Sequence, residues 1–234
     1  MLNAAQGIDT APQIARLTAS GVTPRDIETL AKRHKLKPIC SLVLEQNAQA
    51  SSLEKSQYYV AHHLHMRYQL AQLANALQQE GAEILLLKGA IQLYRPIYPR
   101  PGMRQLADLD VLVDDPKALT VFSNLGYITV DPEEAFPTSL DLDQGEHHLA
   151  PLWREKDATR VEPHVLPVPP EYAHLVAHVM SGASPAPGHP ALLLPSPADQ
   201  FIITLIHAMR SDRTSVHGGL FMRSFIDLEL LYNT

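Results

Sequence analysis

The sequence predicts an α+β fold: a small mixed sheet with helices on one face, flanked by N-terminal and C-terminal helical regions. Three observations predict it. Residues 12–80 carry helical signals almost throughout, residues 83–165 alternate short strand-like runs with helix starts, and residues 197–232 return to amphipathic helix. The expected divisions are an N-terminal helical region over 1–80, a mixed core over 81–170, and a proline-rich loop with closing helices over 171–234.

Taken in order, Thr23-Pro24 is an N-cap followed by a first-turn proline. Residues 51–80 carry Leu64, Leu70, Leu73 and Leu77 with polar residues between, and Gly81 supplies a C-terminal cap. A strand over 83–88 leads into a helix over about 89–94. A second strand spans 107–113, and a helix over 116–125 has Asp115 as its cap and Pro116 at its first position. Strands near 127–130, 147–153 and 159–165 complete the sheet. Residues 166–197 are rich in proline around Ser-Gly-Ala-Ser-Pro-Ala-Pro-Gly, so a mobile loop or lid is expected there, with a short helix within 171–180. The two closing helices are expected over 197–210 and 219–232.

The chemistry concentrates around Asp108-Leu109-Asp110. On an extended strand Asp108 and Asp110 share one face, while Leu109, Val111 and Val113 take the other. Two acids fixed side by side repel each other unless a cation sits between them. Oxygen-only ligands favour a hard ion, Mg2+ or Mn2+, over zinc. Just upstream, Lys88 and Gly89 end a strand and open a helix. A glycine there permits close backbone approach to a polyphosphate, and the lysine adds a full positive charge. Arg104 precedes the acidic strand, where a guanidinium can clamp phosphate oxygens, and Arg100 is a further basic group on the same loop.

Leu87-Lys88-Gly89, Arg104, Asp108-Leu109-Asp110-Val111-Leu112-Val113 and Leu125-Gly126-Tyr127 together resemble the uncharacterised nucleotidyltransferase family of the polymerase-beta-like superfamily. The set is also similar to nucleotidyltransferase toxins, which share a Leu-Lys-Gly stretch followed by an Asp-x-Asp strand. Val161-Glu162-Pro163-His164 and Asp227-Leu228 extend the likeness, which covers roughly residues 80–234.

The resemblance implies a nucleotidyltransferase-type sheet and a metal-dependent transfer of NMP from an NTP to an acceptor hydroxyl. It implies Asp108, Asp110 and a third acid, here Glu162, as the metal ligands, with Lys88, Gly89 and Arg104 toward the nucleotide. His164 shares a strand face with Glu162 and is expected as a base, a nucleotide contact or a neighbour of the metal ligands. Two departures stand out. Glu162 replaces a more usual aspartate, and Pro163 lacks a ladder N–H, which restricts its strand to an edge or a bulge. The acceptor is open among a small molecule, a protein and a tRNA. A non-catalytic nucleotide- or partner-binding module on the same fold, and a toxin-like enzyme acting on tRNA, are the alternatives.

Composition narrows the classes. The 234 residues are 45% hydrophobic, enough for a substantial core. A net charge of −6 provides no global basic field, so no extended nucleic-acid surface is expected; basic residues gather locally at 25–37 and 95–104. The single cysteine, Cys40, forms no internal disulfide. No membrane span and no leader pattern is seen, and a cytoplasmic location is the expectation.

The 12 histidines raise zinc as a possibility: His62, His63 and His65 on one helix, His147 and His148 on a strand, and His174 with His178 four apart. Residue 175 is leucine, so the last pair lacks the glutamate of a zinc-protease motif. His207 lies on an apolar helix, where a core histidine is expected, although the resemblance places a similar histidine there.

Overall fold

A computed structural model describes residues 2–6, 9–46, 53–142, 146–210 and 221–233. The chain divides into two compact units, one of residues 1–64, 96–105 and 208–234 and the other of residues 65–95 and 106–207.

The first unit is helical. It holds α1 (Leu2–Ala5), α2 (Ala11–Ala19), α3 (Pro24–Arg33), α4 (Lys37–Gln46), the start of the long α5 (Leu53–Glu80), and α8 (Met222–Tyr232). At the start of α3, Thr23 accepts a hydrogen bond from the Asp26 N–H at 3.2 Å. The Asp26 carboxylate accepts one from the Thr23 N–H at 2.9 Å, a complete capping box with Pro24 following the cap. Ala31, Leu36, Ile39, Val43 and Leu44 bury together with Tyr98, Met103, Ile226 and Leu230. Residues 219–220 and 51–52 of the expected helices lie outside the described residues.

The second unit is built on a seven-stranded mixed sheet. Its strands are β1 (Ile84–Leu86), β2 (Asp108–Leu112), β3 (Ile128–Thr129), β4 (Leu152–Trp153), β5 (Arg160–His164), β6 (Ser184–Ala186) and β7 (His189–Leu194). They lie in the order β3-β4-β5-β2-β1-β7-β6. β2 pairs parallel with β5 and antiparallel with β1, and β1 pairs parallel with β7.

Alternation sorts the strand residues cleanly. Ile84, Leu86, Leu109, Val111, Val161 and Leu192 bury among residues of α5 and of α6 (Lys117–Asn124), including Leu70, Leu77, Leu119 and Phe122. Each such side chain contributes about 1.5–3 kcal/mol by burial. Leu85, Leu87, Leu112 and Leu193 turn to the second face, where Val176, Val179, Ile203 and Ile206 cover them. Helical cover therefore reaches that face too, through a 3-10 segment (Pro170–Val176) and α7 (Pro197–Arg210).

The proline-rich stretch differs from its expectation. Residues 184–194 form a hairpin, and β7 lies inside the sheet with Leu192 opposite Ile84 and Leu193 opposite Leu85. The prolines are compatible because of where they fall. Pro185 lies on the edge strand β6, Pro187-Gly188 makes the two-residue turn, and Pro190 sits near the start of β7. The run Ala191 to Leu194 between them is buried. Within the same stretch the helix expected over 171–180 is a 3-10 segment ending at Val176, so His174 and His178 do not share an α-helical face.

Two other elements are shorter than predicted. Residues 90–93 form only one 3-10 turn. Of the strand predicted over 147–153, only Leu152–Trp153 joins the ladder, with an isolated bridge at His148. Two prolines account for the gap, since neither Pro151 nor Pro163 opposite has a donor to offer; the Pro151 and Pro163 carbonyls instead accept from Val130 and Leu149, each at 2.8 Å. At α6, Pro116 is itself the capping residue, and Asp115 serves it by accepting from the Lys117 N–H at 2.9 Å.

Gly102 marks the tightest backbone approach in the helical unit. Its φ is +78°, and a Cβ there would lie 2.8 Å from both the Tyr59 carbonyl carbon and the Val60 nitrogen. Gly188 has the same backbone sign, φ +79°, with nothing within 4 Å of a Cβ. Gly188→Ala is expected to cost about 1 kcal/mol from its backbone alone. Gly102→Ala must add displacement of α5 backbone and is expected to lose about twice that or more. Parallel thermal and urea melts of the two variants check the difference.

Candidate active site

β2 and β5 run parallel in the register Asp108↔Arg160, Asp110↔Glu162 and Leu112↔His164. Alternation therefore places Asp108, Asp110, Arg160, Glu162 and His164 on one face, the same face that carries Leu85 and Leu112. The start of β5 is fixed from two sides. Gln69 of α5 donates to the Thr159 carbonyl at 2.9 Å, and the Thr159 hydroxyl bonds the Ala107 carbonyl. The turn ahead of it is pinned by Arg154, which bonds Asp157 at 2.7 Å and Gln72 at 3.1 Å.

Pro163 is accommodated without moving β5 to an edge. Its carbonyl points toward Leu149, so its missing N–H lies on that side and not toward β2. The β2 side remains intact, with the His164 carbonyl accepting from Val113 at 2.8 Å. The interior position corrects the edge or bulge expected for this strand, because the neighbour across from Pro163 makes only a bridge.

Asp110 is the centre of the site. It is 4% exposed, and its Oδ1 lies 2.7 Å from Lys88 Nζ and 2.9 Å from His164 Nε2. Burial raises the pKa of such a carboxyl, but the Lys88 charge and the His164 hydrogen bond outweigh it and hold Asp110 well below the usual carboxylate range. Lys88 reaches it through a left-handed backbone, φ 45°, which turns the chain back at the end of β1. Gly89, by contrast, is right-handed and precedes the single 3-10 turn. One turn carries little dipole, so the positive charge at this corner is that of Lys88.

His164 is fully buried, and burial lowers its pKa despite the Asp110 hydrogen bond. A 2.9 Å contact with a carboxylate oxygen requires the proton on Nε2. The imidazole is thus a neutral donor that orients Asp110, and its Nδ1 has no partner among the described residues. Rings of His147 and His148 pack at 5.3 and 5.6 Å from it. The His147 pKa is pushed down to about 4 by burial and by His164 and Lys88. His147 and His148, noted in the sequence as a strand pair, thus pack their rings against His164 beside the acidic site.

Glu162 completes the group. Its carboxyl is pushed up by burial, then by Asp108 and Asp110, against the opposing Arg160 and Lys88. Arg160 Nη2 lies 2.7 Å from Glu162 Oε1 and 3.6 Å from Asp108 Oδ2. Among the described residues, Asp110, Glu162 and His164 form a group whose ligand atoms all lie within 4.8 Å of one another. The carboxylates of the group are the donors a hard divalent cation takes, and their crowding raises Glu162, a repulsion that such an ion relieves; His164, with its Nε2 proton on Asp110, orients one of them.

The structure thus brings together Lys88, Asp108, Asp110, Glu162 and His164. Arg104 lies in the helical unit, where Nε and Nη2 each bond Asp227 Oδ2 at 3.0 Å and Tyr98 donates to Asp227 Oδ1 at 2.6 Å. Arg160 is the site residue the sequence did not single out. Its signal was present, since it precedes Glu162 by two on a strand with period two.

The family model described as uncharacterised nucleotidyltransferase matches residues 20–234. The chain belongs to the uncharacterised nucleotidyltransferase family. The match takes in both acidic strands and most of the helical unit, extending well upstream of the motifs that carry the resemblance. No curated protein and no solved structure matches the chain. No helix among the described residues is long and apolar enough to cross a membrane.

The raised Glu162 pKa has a consequence for stability. An acid whose folded pKa lies above its unfolded value destabilises the fold once pH exceeds the unfolded value, and the penalty disappears as the group is protonated. Glu162→Gln is therefore expected to raise the melting temperature of the metal-free protein at pH 7 and to lose that advantage toward pH 4. The same variant should bind Mn2+ about tenfold or more weakly. Melts across pH, with a Mn2+ titration at pH 7, check both halves.

Proposed function

We propose that this family member is a metal-dependent nucleotidyltransferase that moves NMP from an NTP to a hydroxyl of an acceptor. The observation that carries the reading is the register of β2 and β5. It sets Asp110 opposite Glu162 with Asp108 on the same face, and a half-buried lysine on Asp110. Three carboxylates on one face of two paired strands are costly for a fold and useful to a metal ion.

In this reading Asp108, Asp110 and Glu162 hold Mg2+ or Mn2+. The ion supplies activation of the acceptor hydroxyl and charge neutralisation on the reacting phosphoryl group. The acceptor oxygen bonds the α-phosphorus, the bond from it to the bridging oxygen of pyrophosphate breaks, and the hydroxyl proton is released. Lys88 stands where a phosphate oxygen can take its donors, and Gly89 leaves the backbone beside it uncrowded by a side chain. His164 does not exchange protons with substrate; it holds Asp110. Arg104, bonded to Asp227, has no phosphate role in this reading.

The acceptor is a small molecule, a protein or a tRNA. The charge balance of −6 favours the first two over long nucleic acid. The test is a screen with radiolabelled NTPs and Mg2+ or Mn2+, alone and with metabolites, tRNA and cell extract. Label transfer or pyrophosphate release is expected from the native chain and is expected to fall at least about 1,000-fold in Asp110→Ala, and similarly in Asp108→Ala. Metal-dependent NTP binding without transfer would favour a binding module. Turnover undiminished in both variants would overturn the site.

A further inference from the structure

We propose that Arg160 is the triphosphate-binding cation of this site, and that it competes with the divalent ion for the carboxylates until phosphate draws it away. The proposal rests on the nucleotidyltransferase reading and deepens it.

Strand register places Arg160 directly across from Asp108, two residues before Glu162. Its Nη2 lies 2.7 Å from Glu162 Oε1 and 3.6 Å from Asp108 Oδ2. The side chain is only half-buried, so the guanidinium fork is open to solvent. Its side chain is 45% exposed, against 16% for Lys88, which makes it the more accessible of the two cations at the acids. The backbone beneath is held rigid by Gln69 and by the Thr159 hydroxyl, so the guanidinium swings from a fixed point.

Two consequences follow from charge. Glu162 Oε1 and Asp108 Oδ2 are oxygens that a divalent ion at this site would use, so Arg160 opposes its binding. A triphosphate brings anionic oxygens that match a guanidinium fork better than one carboxylate oxygen does, and the 45% exposed Arg160 side chain can turn to them without leaving solvent. Metal and triphosphate therefore bind cooperatively: phosphate takes Arg160 off the acids and leaves them to the ion. Lys88 cannot substitute, because it neutralises the buried Asp110.

The test separates the two roles by sign. Mn2+ alone is titrated into the purified full chain and followed by the electron paramagnetic resonance of free Mn2+. Inorganic tripolyphosphate, which needs no nucleobase choice, is then titrated at saturating Mn2+ by calorimetry. Arg160→Gln is expected to bind Mn2+ about two- to fivefold more tightly and tripolyphosphate about tenfold more weakly. Arg160→Lys, which keeps the charge without the fork, is expected to leave Mn2+ affinity within about twofold of the native chain and still weaken tripolyphosphate. It also serves if the glutamine variant fails to fold.

Mn2+ affinity unchanged or weakened in Arg160→Gln would overturn the competition. Tripolyphosphate affinity unchanged in both variants would overturn the phosphate role. A native chain that binds no Mn2+ would instead overturn the metal reading on which the proposal stands, an outcome distinct from either.

Discussion

The buried charge of Asp110 is the constraint around which the sheet unit is organised. A carboxylate 4% exposed would be expelled or protonated in an apolar sheet, and two partners prevent it. Lys88 comes from the end of β1, antiparallel to β2, and His164 from the end of β5, parallel to it. The charge is thus held by the strands on either side of β2, and each partner depends on register. A slip of one residue in β5 would turn Arg160, Glu162 and His164 onto the face packed by α5 and α6 and expose Val161. The electrostatic requirement and the apolar packing therefore specify the same register.

Legibility in the sequence followed the range of the interaction responsible. The α+β class, the Asp108 and Asp110 face, and α7 over residues 197–210 were readable because alternation, helical period and apolar length are local. The capping Thr23 was readable for the same reason. The sheet position of β7 was not, because two prolines next to a four-residue apolar run outweigh it locally and only pairing with β1 decides its state. Pro163 was a similar case. A proline forbids a donor in one direction, and whether that matters depends on which neighbour lies there. Arg160 was missed for a different reason: charge at a strand start is ordinarily solvated, and only the register across to Asp108 gives it a role.

The helical unit repeats the same logic with another outcome. Asp227 is 3% exposed and accepts from Tyr98 and from Arg104, so each of its oxygens is bonded within the unit. Burial and the Asp227 charge push the Tyr98 hydroxyl's pKa well up, which keeps it a donor. With a full charge partner and both oxygens bonded, this network has the form of a structural link between α8 and the loop before β2. The contrast is informative because both clusters contain a buried aspartate and a cation. What distinguishes the sheet cluster is excess acid, since Asp108, Asp110 and Glu162 face Lys88 and Arg160.

The sheet cluster also concentrates local rule-breaking. Lys88 occupies a left-handed backbone that glycine tolerates better, at about 1–2 kcal/mol. His164 Nδ1 is buried without a described partner, and Glu162 is held near like charges. Neither the Lys88 backbone nor the Glu162 charge is the least costly local choice: glycine would relieve the strain at 88, and glutamine the repulsion at 162. Glycine at 88, however, would leave the buried Asp110 without its cation, a larger loss than the strain relieved, and glutamine at 162 would remove the carboxylate set opposite Asp110. The strain at Lys88 and the crowding at Glu162 each keep a charged group beside Asp110, and such local costs gather where a fold carries a site and not where it is optimised for stability.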